Sequence, residues 1–322
     1  MTAEFDAVLV LGFGGPERHE DVIPFLENVL RGKNVPRERL LEVAEHYYHF
    51  DGRSPINEQN RELVAALNAE LAAHGPRLPV FWGNRNWHPL LADTLREMQG
   101  KGVRRALAYV TSAFGSYSGC RQYLEDIARA REQCGGKAPE IEKLPTFSDH
   151  PGFLEAMTER VRAAFDVLPS AKLLFTAHSI PASMAASSPY ERQLQAACNA
   201  VAARLGRSEY RLVYQSRSGP PGQPWLEPDI CDALREIQGG DVVIAPIGFL
   251  SDHMEVLFDL DTEAAALCRE LGIRMIRAGT VGTHPRFVNM IRELITERME
   301  AGVPAVCSAD CCPPPKRPAP AR

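Results

Sequence analysis

The stretches VLVLGFGGP (residues 8–16) and LLFTAHSIP (residues 173–181) lie over each other without a gap. Each begins as an apolar run of strand length, then passes a small residue (Gly12, Ala177). Each then presents one large side chain (Phe13, His178) and closes on a proline (Pro16, Pro181). VTSAFGSYSG (110–119) matches APIGFLSDHM (245–254) in the same way, with Phe114 and Ser116 over Phe249 and Ser251. Internal similarity of this kind predicts two like halves. Working outward, strand-length apolar runs occur at 7–13, 79–84, 105–114, 172–179, 210–216, 241–249 and 273–279. Helical patterns separate them near 56–74, 89–100, 119–134, 151–167, 188–206, 229–238, 256–271 and 284–301. Strands with few polar breaks, separated by helices, predict parallel sheets covered on both faces. The expected fold is α/β, with two doubly wound halves split near residue 148. In such sheets the ligand crevice lies outside the carboxyl ends of the strands. Phe13 and His178 are therefore expected on opposite walls of a cleft between the halves.

The 322 residues suffice for about two domains of roughly 150 residues. A net charge of −5 gives no support to a nucleic-acid binder, which needs a basic face. No run approaches the ~20 apolar residues of a membrane span. The N-terminal MTAEFDAVLVLGFGG carries no basic leader pattern, so a cytoplasmic setting is expected. Of the eight cysteines, Cys198, Cys231 and Cys268 sit among apolar residues in helical patterns and read as small buried hydrophobes, while Cys134 precedes a Gly-Gly turn. The tail VPAVCSADCCPPPKRPAPAR (303–322) differs: Cys307, Cys311 and Cys312 crowd six residues before a proline-rich end, a pattern of metal or iron–sulfur ligation.

PIGFLSDHMEVLFDLDTE (246–263) drops five carboxylates directly after a buried strand. At 100° per residue Asp252, Glu255, Asp259 and Glu263 fall within an arc of about 80°, with Asp261 off the stripe. Like charges at i,i+4 repel, and a bound cation would relieve them. The plainer reading is a solvated acidic first turn, favoured by the helix dipole. His178 is either a satisfied core group or a metal ligand or base, since neutral imidazole suits both chemistries. YQSRSGPPGQPWLEP (214–228) reads as a rigid loop, with Trp225 a wall residue and Arg217 available to an anion. HYYHFDGRSPINEQN (46–60) places Arg53 and Ser54 before a helix, as a cap or a pocket lip. The glycine-rich GFGGPE lacks both the P-loop Lys-Ser/Thr and the GxGxxG spacing.

In that order FTAHSIP, YQSRSGPPGQPWLEP and PIGFLSDHMEVLFDLDTE, with LGFGGP and GRSPIN in the first half, resemble the ferrochelatases over nearly the whole chain. That resemblance implies Fe²⁺ as substrate, inserted into a porphyrin held between two Rossmann-like domains. These are expected at 1–148 and 149–283, with a last helix near 284–301 packing back on the first and a Cys/Pro-rich tail at 302–322. It makes His178 and Glu255 the catalytic and inner metal pair. Asp259 and Glu263 become the metal-binding line to the surface, on a helix widened locally toward π. The resemblance leaves open which residue delivers metal and which takes protons.

Phe13, SYSGCRQY and the cysteine tail look like the actinobacterial type, which makes coprohaem from coproporphyrin III. The lip residues Arg31, Lys33, Arg37 and Arg39 suit a substrate with four propionates. Phe13, Arg31, Ser54, Tyr117 and Trp225 are the expected substrate-binding residues. Cys120, Cys307, Cys311 and Cys312 fit the four thiolates of the [2Fe–2S] cofactor that several family members hold. Partners implied are the porphyrin and enzymes of the haem pathway; the oligomeric state is not written in the sequence. Competing readings are a protoporphyrin IX ferrochelatase, a cobalt or nickel tetrapyrrole chelatase, and a non-catalytic haem or metal carrier. The carrier would have no need of an acidic ladder.

Overall fold

The computed structural model describes residues 5–32, 35–219, 222–237, 239–301 and 311–314, so Lys33 and Cys307 lie outside it. Strand β1 (Ala7–Gly12) leads through two lip helices, α1 (Val22–Val29) and α2 (Arg37–Tyr48), to the long α3 (Ile56–His74). Then follow β2 (Val80–Asn84), α4 (Leu91–Gly100), β3 (Arg105–Val110), a π-helical turn at Tyr117–Arg121, α5 (Gln122–Cys134) and β4 (Glu140–Lys143). The second half repeats the plan after α6 (Pro151–Val167). It runs through β5 (Lys172–His178), α7 (Ala182–Ala186), α8 (Tyr190–Arg204), β6 (Arg211–Gln215), α9 (Ile230–Arg235) and β7 (Asp241–Ala245). A mixed helix comes next, made of α10 (Met254–Val256), a π-helical stretch (Leu257–Ala264) and α11 (Ala265–Glu270). Strand β8 (Arg274–Arg277) and α12 (Pro285–Ala301) end the fold.

The two sheets are all parallel and have the same strand order, β2-β1-β3-β4 and β6-β5-β7-β8. The central strands β1 and β5 are the two stretches that match in sequence, and both are buried along nearly their whole length. Phe13 and His178 thus stand at equivalent strand ends. The internal match extends to the backbone beyond, since β3 and β7 each lead into π-helical backbone; the sequence resemblance implies only the second of these. Three further differences have physical causes. Strand β4 is not among the strands expected from the sequence because EIEK is short, charged and at a sheet edge, where polar side chains guard the open rim. The runs 105–114 and 241–249 leave their sheets at Val110 and Ala245, the second where Pro246 offers no N–H to the ladder. The lip helices lack a long apolar stripe; only Val22, Phe25, Leu26, Leu40, Ala44 and Tyr47 are buried on them.

One continuous apolar core runs between the halves, joining Val10 and Tyr109 of the first sheet to Phe175 and Val243 of the second through Phe153 on α6 and Phe287 on α12. Helix α12 packs against both α3 and α6. Gly152 permits this closeness, because a Cβ there would come within 2.7 Å of Met290 Cβ and 2.9 Å of the Arg286 carbonyl. Each sheet's other face carries its own smaller core. Among the described residues no helix is long and apolar enough to cross a membrane.

Candidate active site

His178 is the last residue of β5 and pairs in register with Gln215, the last residue of β6. Its carbonyl accepts from the Tyr190 hydroxyl at 2.9 Å, which pins the strand end to α8. Its Nδ1 lies 2.6 Å from the Ser179 carbonyl. A carbonyl only accepts, so Nδ1 carries a hydrogen, and in the neutral tautomer the lone pair is on Nε2. That lone pair faces Glu255 Oε2 at 3.6 Å, and both side chains are partly open to solvent. The gap exceeds a direct N–H···O bond. Two electron-pair donors held apart in this way are poised for a cation or a proton between them.

Glu255 is placed by a short helix start. Its amide donates to Nδ1 of His253 (3.2 Å), the N-cap residue, so His253 is unprotonated at that atom. Burial also holds His253 below the ordinary imidazole range. Beyond Glu255 the backbone is π-helical, as the family likeness implied, and the Thr262 hydroxyl donates to the Leu257 carbonyl five residues back. Asp259 follows. Its Oδ2 accepts from the Ser216 hydroxyl and from Gln215 Nε2 (3.1 Å), and the same Gln215 amide reaches the Glu255 carbonyl at 3.4 Å. Burial pushes Asp259 up to about 7, against the pull of those two donors. Farther out, burial and the neighbouring Asp229 raise Glu263.

Asp252 leaves the acidic stripe. It precedes the helix, and Arg277 Nη1 binds it at 2.7 Å while the same guanidinium takes Asp261 through Nε and Nη2 (2.6 and 2.9 Å). Two of the five acids are thereby neutralised structurally, leaving Glu255, Asp259 and Glu263 in line. Sequence reasoning missed Arg277 because it stands on a different strand. It also missed Gln215 and Ser216, although both lie in the YQSR stretch at the strand end opposite His178. Ser216 adopts φ 62°, a left-handed conformation uncommon outside glycine and a frequent mark of functional sites.

The other expected residues are distributed around this pair. Phe13 is 37% exposed, unusual for its type at the end of a buried strand, and meets Phe25 edge-on at 6.3 Å. Ser54 is 4% exposed; instead of capping α3, its hydroxyl accepts from the Met254 amide (3.4 Å) across the seam between the halves. Gln59 closes the same seam by accepting from the Asp252 amide at 2.8 Å. Tyr117 donates to Glu125 at 2.9 Å. Arg31 is exposed past α1 and bonded to Asn28. Trp225 is half-buried and bridges Pro181, while Arg217 donates to the Gln223 carbonyl. The lip cluster encloses Met254, and His46 of α2 stacks on Phe258 at 3.9 Å, so α1 and α2 cover the site helix. Arg37 and Arg39 are exposed and pair with Glu27 and Glu42.

Cys120 is buried in the first π turn. Cys311 and Cys312 hold their sulfurs 3.7 Å apart, Cys312 has a left-handed φ of 54°, and Arg121 binds the Cys311 carbonyl at 2.9 Å. Two thiolates on one tetrahedral metal with bonds of about 2.3 Å stand about 3.8 Å apart. The pair therefore fits a shared metal atom. Among the described residues no group of three or more His, Cys, Asp or Glu is gathered closely enough to hold an ion.

A family model described as ferrochelatase matches residues 5–299. The chain belongs to the ferrochelatase family. It is 56% identical to the ferrochelatase of Rhodopirellula baltica, over 96% of this chain and 93% of that protein. It is 49% identical to the coproporphyrin III ferrochelatase of Nocardia farcinica, over 98% of each, and 52% identical to that of Mycobacteroides abscessus, over 97% of this chain and 93% of the other. Among solved structures, the sirohydrochlorin chelatase SirB from Bacillus subtilis subspecies spizizenii shares the fold, with a TM-score of 0.56 at 13% identity over 92% of this chain and 96% of that one. In this ferrochelatase the acidic helix and the strand-end histidine, far apart in sequence, meet at one point.

Proposed function

We propose that this chain inserts Fe²⁺ into coproporphyrin III in haem biosynthesis, releasing two protons, in a cytoplasmic setting. The observation that carries the proposal is the 3.6 Å gap between His178 Nε2 and Glu255 Oε2, at the mouth of a line of carboxyl groups. Insertion exchanges a dication for two protons with no net electron transfer. The site therefore needs a lone pair to accept a proton or hold the metal, and a route for charge. His178 and Glu255 supply the first. Asp259 and Glu263 supply the second, and an acid near 7 gives up and takes protons readily at neutral pH. Phe13 and Trp225 would form the porphyrin walls, with Arg31, Ser54 and Tyr117 at its propionates. Ser54 would have to release Met254 to reach one. The unit boundaries near 148 and 283 describe two functional halves that share a core.

The choice of coproporphyrin rests on its relatives and on the polar, arginine-bearing lip, which suits four propionates in water. Turnover with coproporphyrin III is expected to exceed that with protoporphyrin IX by about tenfold or more, each missing or extra polar contact counting strongly at such a site. The Soret change on adding Fe²⁺ to each porphyrin measures the ratio. A preference for protoporphyrin IX overturns the substrate assignment, and binding of both without turnover points to a carrier.

Cys120, Cys307, Cys311 and Cys312 would hold the [2Fe–2S] cluster. When bound, such a cluster supplies a cross-link between thiolates, here from the tail to the first half. Protein purified anaerobically is expected to show charge-transfer bands in the visible and acid-labile sulfide, both lost in Cys312→Ser; their absence from the wild type rejects the cluster.

A further inference from the structure

We propose that Arg85 is a positioning residue for the porphyrin wall, fixing together Phe13 and the π turn that carries Tyr117. It follows β2, and its amide donates to the Gly12 carbonyl at 3.1 Å, the residue before Phe13. Its side chain is only 7% exposed. Nε meets Asp126 Oδ2 of α5 at 2.6 Å, an ion pair whose approach lies off the hydrogen-bonding direction. Nη1 donates to the Ser118 carbonyl inside the π turn at 3.3 Å. The guanidinium lies over Tyr123 at 4.4 Å and over Phe13 at 5.9 Å. Asp126 takes Arg129 on its other oxygen at 3.1 Å, so its carboxylate is held from two sides.

Four elements converge on this one plane: the β1 end, the β2 end, the π turn and α5. A π turn is rare and tends to mark functional positions. Here Arg85 braces the turn from within, at the residue after Tyr117, and braces the exposed Phe13 ring from the side. A buried ion pair is a poor means of stabilising a fold, because apolar residues of the same volume do as well or better. What a planar, five-donor fork adds is direction. Phe13 is exposed at the end of β1, and on the porphyrin reading it and Tyr117 are the groups that meet the substrate, so the arrangement serves the placement of a flat ligand. This inference rests on the porphyrin reading of the cleft.

Two variants of the full chain test it. Arg85→Lys keeps the charge beside Asp126, but its compact ammonium cannot also reach the Ser118 carbonyl and lie flat on two rings. The double variant Arg85→Met with Asp126→Leu removes the buried charges in exchange for apolar volume. Both are expected to raise KM for coproporphyrin III about tenfold, with kcat falling less than about threefold and KM for Fe²⁺ unmoved. The Kd for coproporphyrin III, from quenching of its fluorescence without metal, should rise with KM. A merely structural residue would lower Tm and leave the Kd of the folded fraction unchanged. Either variant folding and binding coproporphyrin III with the wild-type Kd overturns the inference. So does unfolding of both, which would assign Arg85 to the fold. Absence of coproporphyrin turnover in the wild type would instead sink the functional proposal.

Discussion

Alanine at His178 is expected to abolish metal insertion, lowering kcat by at least about 10²–10⁴-fold, while the folded protein still binds porphyrin. The backbone of His178 is secured independently of its ring, by the Tyr190 hydroxyl and by pairing with Gln215. The ring's polar neighbours among the described residues are the Ser179 carbonyl, Glu255 across the gap and the nearby His253. Truncation therefore removes the Nε2 lone pair with little effect on the strand. The proposed porphyrin walls, Phe13 and Trp225, lie outside this pair, so porphyrin binding should survive. Glu255→Gln keeps the shape of the other partner and removes its charge, so a comparable loss is expected there. Stopped Soret change with retained fluorescence quenching is the signature to look for; near-normal turnover in His178→Ala would defeat the assignment of the pair.

That pair is legible in the sequence because each half of it sits where the fold places ligands. A histidine at the end of an apolar run and an acid just past another are both strand-end positions in a parallel sheet. The internal match of VLVLGFGGP with LLFTAHSIP anticipates the repeated strand order, since burial on both faces forces uninterrupted apolar runs. The elements that escape a reading of the sequence are those with weak or borrowed stabilisation. Strand β4 is a charged edge. Helices α1 and α2 bury short stripes against the partner half, at Met254 and Phe258, and such contacts have no local periodicity. Helical-wheel arithmetic puts Asp252 on the acidic stripe, yet the residue lies before the helix and belongs to Arg277. Long-range pairs such as Arg277 with Asp252 and Asp261, or Arg85 with Asp126, join residues whose spacing carries no signal. Gln215 and Ser216 lie inside the YQSR stretch and still give no hint of Asp259, because the donor direction depends on the left-handed backbone at Ser216.

Asp259→Asn is expected to stabilise the folded chain at alkaline pH while impairing insertion. Burial raises the Asp259 carboxyl from 3.8 to about 7 in the folded state. Between those values the native protein holds a proton that the unfolded chain has released. Stability therefore falls as pH rises through that window, because the unfolded state binds fewer protons there. At 1.36 kcal/mol per unit, the loss by pH 8 is at most about 4 kcal/mol. Asparagine resembles the protonated form and still offers an oxygen to Ser216 and Gln215. The variant should then match the wild type most nearly below pH 4 and exceed it increasingly up to about pH 7, with no further gain above. Urea unfolding of both proteins at pH 5 and pH 8 reads this directly; a difference that does not grow between them would show that Asp259 ionises normally in the fold. On the proposed role of Asp259 in carrying protons away from the His178–Glu255 gap, the same substitution should slow metal insertion even as it strengthens the fold.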